Sequence, residues 1–247
     1  MFALEARDRI RDRVLEMARG DERVVAAAIV GSLAHGVGDR WSDVDLSFAV
    51  RDDVRVSEVL DDWSRRMTEE LDAVCLIDLT VGQIIYRVFL FAGCLQLDVS
   101  FTPASEFRPT SPRFCLVFGV AGEPYSPEPP SPHDLLRWAV LYARGARVSI
   151  ERGKVWQAEH CLANLRIYAL SFACRRRNLP ASFGKGLDQL PPEVLAGFPD
   201  SLVSSVERLE LTRALKSAVS ALLSECASPP RVASKVEDHL RDVVAGI

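Results

Sequence analysis

The sequence lacks the features of a membrane-spanning or secreted chain. No run approaches the ~20 consecutive apolar residues that a transmembrane helix needs. The first residues, MFALEARDRIRDRV, are charged from Glu5 onward and include no apolar stretch of signal-peptide length. The six cysteines show no CxxC spacing, and most lie in apolar runs, where a reduced thiol behaves as a small hydrophobic side chain. We therefore expect a cytoplasmic protein with no membrane partner.

The sequence also lacks an excess of positive charge and a cluster of cysteines and histidines. Its 30 Lys and Arg residues against 34 Asp and Glu give a net charge of −4, which offers no broad attraction to the backbone of a nucleic acid. The four histidines stand apart from one another and from the cysteines, which argues against a zinc site. What remains is a 247-residue chain, 48% hydrophobic, which predicts a globular protein of one large or two small domains with no nucleic-acid partner.

The first half of the chain has the pattern of strands mixed with helices. Apolar or alternating runs predict five strands, and helical spacing predicts two helices: the strands at 23–30, 43–50, 74–81, 84–91 and 94–101, and the helices at 5–19 and 54–71. Glycines at the joins of the last three strands are typical of hairpin turns, so these strands should form a meander. We expect an α/β (α+β) domain with a mixed sheet over residues 1–120.

A proline-rich segment separates this half from the rest. Residues 121–132, AGEPYSPEPPSP, hold five of the fourteen prolines, too many for a helix interior or a central strand, and are expected to form a semi-rigid linker. Beyond the linker the pattern changes to long helices, at 133–151, 154–177, 202–227 and 232–244. Residues 133–247 should therefore form an all-α helical bundle domain.

One short segment carries residues suited to chemistry. The strand at 23–30 runs into Gly31 and Ser32, and the next strand carries Asp43 and Asp45. Residues two apart on a strand point to the same face, so these two carboxylates should project together. Their mutual repulsion disfavours ionisation of both unless a cation lies between them. Mg²⁺ suits one or two carboxylates combined with water and phosphate oxygens. Gly31 permits close backbone approach and Ser32 supplies a hydroxyl, which together favour a phosphate opposite the metal.

This order of residues resembles the nucleotidyltransferase superfamily, the group that includes DNA polymerase β and the antibiotic nucleotidyltransferases. The superfamily signature is Gly-Gly or Gly-Ser followed by an Asp-x-Asp or Asp-x-Glu strand, and here ten residues separate Ser32 from Asp43. The resemblance implies a third carboxylate on a later strand, a position that Asp98 fits within CLQLDVSF. Each residue alone could be a helix cap or an exposed strand residue. It is their combination, in this order, that predicts the site.

The resemblance also implies ligands. Two Mg²⁺ ions would be held by Asp43, Asp45 and Asp98, and ATP or another nucleoside triphosphate would place its β- and γ-phosphates at Gly31 and Ser32. Arg40 is a candidate phosphate contact from the same loop, although a solvated surface position is an equal alternative.

The predicted helix at 154–177 carries a second set of candidates. Glu159 and Arg166 fall within its apolar arc and lie about 10.5 Å apart along the axis, so each needs a partner from elsewhere. One interpretation makes them members of structural salt bridges. The other places this helix along a cleft between the domains, where the resemblance to two-domain antibiotic nucleotidyltransferases makes Glu159 the general base. Lys154, Arg166 and Lys185 would then hold the triphosphate or nucleotide, although Lys185 could equally be a solvated loop residue.

The activity that these features predict is transfer of a nucleoside monophosphate, with AMP from ATP as first choice, to a hydroxyl of a small molecule. Pyrophosphate would leave, and the resemblance suggests an antibiotic acceptor and hence antibiotic resistance. Two alternatives stay open: a protein-modifying nucleotidyltransferase of toxin–antitoxin type, and a non-catalytic nucleotide-binding module. Minimal forms of the first lack a helical half in the same chain, and the complete set of aspartates argues against the second.

Overall fold

The computed structural model describes residues 2–228 and 234–247. The chain divides into two compact units, Met1–Pro127 and Glu128–Ile247, and residues 121–131 form no helix or strand. The first unit contains a mixed sheet with helices, and the second is built from helices in the part that is described. The expected fold class, an α/β unit followed by an all-α unit, is therefore confirmed. Along the described residues, no helix combines the length and apolar character that crossing a bilayer requires.

The first unit is built on a six-stranded sheet. Its elements are α1 (Leu4–Arg19), β1 (Val24–Val30), β2 (Val44–Val50), α2 (Val56–Leu71), β3 (Val74–Val81), β4 (Ile84–Phe91), β5 (Leu95–Pro103) and β6 (Phe114–Phe118). The strand order is β3-β4-β5-β2-β1-β6. Strands β3, β4 and β5 pair in succession as antiparallel neighbours, which confirms the meander. Only β2 and β5 pair in parallel, while β1 is antiparallel to both of its neighbours.

One face of this sheet is covered by the two helices of the unit. Alternate residues of β2 and β5 are fully buried with α1 and α2 in one apolar cluster: Val44, Leu46, Phe48, Leu97, Val99 and Phe101. Trp63 of α2 packs on Phe48 and Phe101, with ring centroids 5.0 and 5.1 Å away. Burial of each such side chain contributes about 1.5–3 kcal/mol. Because side chains alternate across a strand, the intervening polar residues of β2 and β5 all project from the opposite face.

The second unit consists of α3 (Pro132–Glu151), α4 (Val155–Arg176), a short α5 (Pro192–Leu195), α6 (Arg208–Ala227) and α7 (Ser234–Val244). Its core includes Leu136, Leu162, Phe172 and Leu215, all essentially inaccessible to solvent.

One predicted helix start differs from the structure by several residues, and another lies outside the described residues. The helix expected from 202 begins at Arg208, because the carboxylate of Glu210 accepts hydrogen bonds from the backbone N–H and hydroxyl of Ser204 and so holds that segment outside the helix. The helix expected over 232–244 is described as Ser234–Val244, and its predicted start at 232 lies outside the described residues.

Candidate active site

Three aspartates meet on the open face of the sheet. The parallel register of β2 and β5 places Asp45 directly beside Asp98, and Asp43 immediately precedes the first residue of β2. One carboxylate oxygen from each of the three lies within 4.8 Å of the others, and all three residues are half-buried. No other group of three or more His, Cys, Asp or Glu residues meets that spacing within the part of the chain that the structure describes. The structure thus brings together the three residues that the sequence nominates as metal ligands.

Gly31 is fitted against one of these carboxylates. It follows the last residue of β1 and adopts a φ of +68°, a left-handed conformation that costs other residues about 1–2 kcal/mol. A Cβ atom at this position would lie only 2.7 Å from Asp45 Cγ, and nearer still to Oδ2. Its N–H donates to the carbonyl of Arg113, 3.1 Å away. Glycine is therefore required here both by the turn and by the close approach of Asp45.

Ser32 presents a buried hydroxyl beside this turn. It lies in a single 3-10 turn, Gly31–Leu33. Its Oγ is buried and has no hydrogen-bond partner among the residues described. A buried polar atom left unpaired costs about 1–3 kcal/mol. The hydroxyl is thus available to a ligand oxygen.

The loop that delivers Asp43 is held by contacts that sequence reasoning missed. The carboxylate of Asp39 accepts hydrogen bonds from the Trp41 N–H at 2.8 Å and the Ser42 hydroxyl at 3.1 Å. The buried guanidinium of Arg7, on α1, donates to the Asp39 carbonyl at 2.7 Å. The Asp-x-x-Ser spacing was a usable signal for the turn, because these side chains commonly bond to nearby backbone. The candidate phosphate contact in this loop, Arg40, is exposed and lies 4.4 Å over the Trp41 ring.

Gln96 is a second residue that the sequence reasoning missed. Its amide donates to Asp98 Oδ1 at 2.8 Å, and its position two residues before Asp98 on β5 was the available signal. Burial raises the pKa of Asp98 above its usual range; the Gln96 hydrogen bond opposes that rise, and the charge of Asp43 adds to it. The raised pKa indicates a carboxylate whose charged form lacks sufficient compensation from the protein.

The remaining candidates lie in the helical unit. Arg166 donates to the Ser201 carbonyl at 2.8 Å, which supplies the partner that its apolar surroundings demand; burial lowers its pKa, and the charge of Glu159 opposes that effect. Glu159 is half-buried and has no hydrogen bond or ion pair with the described residues, so the expectation of a separate partner is met for Arg166 but not for Glu159. Lys154 immediately precedes α4, and Lys185 follows a 3-10 turn; both are exposed.

Comparison with known proteins gives structural neighbours but no sequence relatives. No family model and no curated protein matches the chain. The chain is similar to the crystal structure of an aminoglycoside 6-adenyltransferase from Bacillus subtilis, with 10% identity, a TM-score of 0.42 and 95% of each chain covered. It is also similar to a nucleotidyltransferase-like protein from Exiguobacterium sibiricum, with 12% identity, a TM-score of 0.38, and 94% of this chain and 77% of that chain covered.

A third similar structure is terminal uridylyl transferase 4 from Trypanosoma brucei with bound dUTP. Its identity to this chain is 13% and the TM-score is 0.32, with 90% of this chain and 68% of that chain covered.

Proposed function

We propose that this protein is a Mg²⁺-dependent nucleotidyltransferase that moves a nucleoside monophosphate, AMP from ATP by preference, to a hydroxyl of a small molecule. The observation that carries the proposal is the group formed by Asp43, Asp45 and Asp98, whose ligand atoms lie within 4.8 Å. The buried, unpaired hydroxyl of Ser32, in the turn that packs Gly31 against Asp45, supports the same activity. Nucleotidyl transfer requires carboxylates that can hold a metal and, next to them, a group that can bind a phosphate.

The donor set fits the implied metal. Carboxylate oxygens are hard ligands of the kind that Mg²⁺ prefers, and Mg²⁺ sites of this type leave positions for water and substrate phosphates. Asp43, Asp45 and Asp98 would hold two ions. When bound, Mg²⁺ neutralises charge on the phosphate oxygens and lowers the energy of an in-line displacement. Burial, with the charge of Asp43, raises the pKa of Asp98, and a bound cation would stabilise its ionised form.

The protein's own groups would position the nucleotide. The Ser32 hydroxyl can donate to a β- or γ-phosphate oxygen, and the absence of a Cβ at Gly31 lets the Asp45 carboxylate lie directly against this turn. Arg40, Lys154 and Lys185 are our candidates for additional phosphate contacts, since all three are exposed cations. Arg166 is a weaker candidate than its charge suggests, because it already donates to Ser201.

Glu159 is our candidate for the proton acceptor. In the proposed reaction the acceptor oxygen attacks the α-phosphorus, the bond between the α-phosphorus and the bridging oxygen breaks, and pyrophosphate leaves with that electron pair. The hydroxyl proton passes to the Glu159 carboxylate. A general base needs an accessible lone pair, and the lack of a hydrogen bond or ion pair to Glu159 among the described residues supports that role.

Release of pyrophosphate from each of the four common nucleoside triphosphates, with and without Mg²⁺, tests the proposal. The acceptor panel holds aminoglycosides and lincosamides, which the motif resemblance implies, together with simple cyclitols and purified proteins. We expect Mg²⁺-dependent release that requires a small hydroxyl acceptor and is fastest with ATP. Transfer to proteins alone would instead identify a protein-modifying enzyme, and nucleotide binding without any transfer would identify a non-catalytic module.

A further inference from the structure

A cavity of about 170 Å³ opens on the same sheet face as the three aspartates. Val30 and Gly31 form part of its wall, so it adjoins the turn against which Asp45 packs. Small-molecule sites that hold whole drug-sized ligands are about 300–1,000 Å³. The cavity is therefore too small for a nucleoside triphosphate and matches a single ring of a larger ligand.

The floor of the cavity is a row of hydroxyl groups. Ser47 follows Asp45 by two residues on β2, and Ser100 and Thr102 continue the same face of β5 beyond Asp98. Ser100 donates to the Ser47 hydroxyl at 2.8 Å, and Ser100 and Thr102 are 8% and 4% exposed. Two strand residues span about 7 Å, which places the Ser47 and Ser100 hydroxyls roughly one ring diameter from the carboxylates. Thr102 lies four residues beyond Asp98, about twice that distance, at the far end of the row.

These buried hydroxyls stand out against their surroundings. The neighbouring strand positions on this side of the sheet are alanines in an apolar cluster with Phe107, namely Ala26, Ala28 and Ala49. Placing polar groups in such surroundings is costly unless they find hydrogen-bond partners. Ser47 and Ser100 share one hydrogen bond, and a hydroxylated ligand would supply further partners to the row.

The other walls combine apolar and polar surface without a net charge. Ile84, Phe107 and Phe114 contribute apolar surface, suited to the C–H face of a saturated ring. The single acid, Glu106, accepts a hydrogen bond from Gln83 at 2.8 Å, and the single cation of the lining, Arg108, lies 5.2 Å from the centre of the Tyr125 ring. The lining itself therefore offers no excess negative charge to a polycationic ring, and Mg²⁺ on the neighbouring aspartates would offset theirs.

We propose that this cavity binds a neutral, hydroxyl-bearing saturated ring of the acceptor, a cyclitol or sugar, with the reacting hydroxyl directed to the aspartates. The assignment of the ring to the acceptor rests on the proposed function. The binding of such a ring does not, because it follows from the cavity alone.

Binding is tested first, without turnover. Saturation-transfer NMR on the full chain, with saturating Mg²⁺ to offset the charge of the three aspartates, compares myo-inositol with streptamine, a cyclitol of the same ring size that carries two ammonium groups. The variants are Thr102→Val, which removes a hydroxyl without changing volume, and Ser47→Leu, which fills the cavity. Thr80→Val, on the exposed strand β3, is the control.

We expect wild type and Thr80→Val to bind myo-inositol more tightly than streptamine. Thr102→Val should weaken inositol binding several-fold, up to about ten-fold for one lost hydrogen bond, and Ser47→Leu should abolish it. Equal binding by folded Thr102→Val and wild type, tighter binding of streptamine, or no inositol binding to wild type would overturn the proposal. Far-UV circular dichroism establishes that each variant is folded, and Thr102→Val still tests the cavity if Ser47→Leu fails to fold.

Turnover then identifies the source of the ring. With an acceptor found active in the pyrophosphate assay, Thr102→Val should raise the KM for that acceptor and leave the KM for ATP unchanged. A raised KM for ATP alone would mean that the cavity takes the nucleotide's ribose, and would overturn the assignment to the acceptor. If the wild type binds inositol but transfers to no acceptor, the proposed function fails and the proposed ring specificity of the cavity stands. If the wild type transfers to an acceptor but the cavity variants behave as wild type, the proposed function stands and the cavity proposal fails.

Discussion

Gly31→Ala, compared with a matched glycine variant, is expected to show that the turn after β1 affects the rate by placing the Asp45 carboxylate as well as by stabilising the fold. The added Cβ would lie 2.7 Å from Asp45 Cγ, whereas ordinary carbon contacts begin near 3.4 Å. The Asp45 carboxylate must therefore move by at least about 0.7 Å, and by more at Oδ2, which lies nearer still, or the turn must open. A misplacement of that order in a catalytic group can cost on the order of 10²-fold in rate.

Gly82→Ala is the matched control for this change. Gly82 has a φ of +61°, close to that of Gly31, but nothing lies within 4 Å of its Cβ position. Both variants should lose about 1–2 kcal/mol from the left-handed backbone, a fall of several degrees in melting temperature. Only Gly31→Ala should also lose about 10²-fold in kcat/KM for Mg²⁺-dependent pyrophosphate release.

The two variants are compared by differential scanning calorimetry and by the pyrophosphate assay at saturating Mg²⁺. Equal kcat/KM values for folded Gly31→Ala and Gly82→Ala would refute the reasoning, because they would mean that the contact between Gly31 and Asp45 has no bearing on the reaction.

Three other carboxylates carry measurable predictions. Glu159→Gln should lower kcat by roughly 10²–10⁴-fold with an unchanged melting temperature. The control, Glu151→Gln, weakens exposed ion pairs with Arg147 and Arg208 and should leave kcat unchanged. A destabilised Glu159→Gln protein with normal kcat would assign Glu159 a structural role. Burial acts to raise the pKa of Asp21, but hydrogen bonds from Arg23 and Trp63 lower it to about 2, so up to about 2 kcal/mol of stability should be present above pH 4 and lost as the pH falls towards 2. Urea unfolding across that range should show this loss in wild type and a smaller one in Asp21→Asn. Asp98→Asn should abolish turnover and, because the pKa of Asp98 is raised by burial, should increase the melting temperature at pH 8 without metal; a decrease would show that the charged carboxylate stabilises the fold.

The pattern of the sequence was sufficient for much of the sheet. Apolar and polar residues alternate along β2 and β5, which places the side chains that pack on α2 and the aspartates on opposite faces. This pattern lies within each strand, so the sequence alone reveals it. The edge strand β6, Phe114–Phe118, was not predicted, because five residues between prolines and a glycine give little periodicity and its pairing depends on the free edge of β1.

The contacts that complete the site depend on register and on long-range packing. The adjacency of Asp45 to Asp98, and of Ser47 to Ser100, follows from the parallel pairing of β2 with β5, which strand order decides and local sequence does not. Arg7 reaches Asp39 across 32 residues, and nothing in its helical periodicity indicates that contact. The carboxylates were therefore predictable from their motif, but the cavity beside them was not.

Binding of Mn²⁺ in the presence of a non-hydrolysable ATP analogue tests the proposed metal site most directly, with electron paramagnetic resonance reporting the free ion. The wild type should bind Mn²⁺, and Asp43→Asn and Asp45→Asn should each weaken binding by at least about ten-fold, because even the loss of a group that only supports a metal ligand costs about 10–100-fold. Asp72→Asn, an exposed position at the end of α2, should bind as the wild type does. Equal Mn²⁺ affinity in the wild type and in both aspartate variants would contradict the assignment of these carboxylates to a catalytic metal.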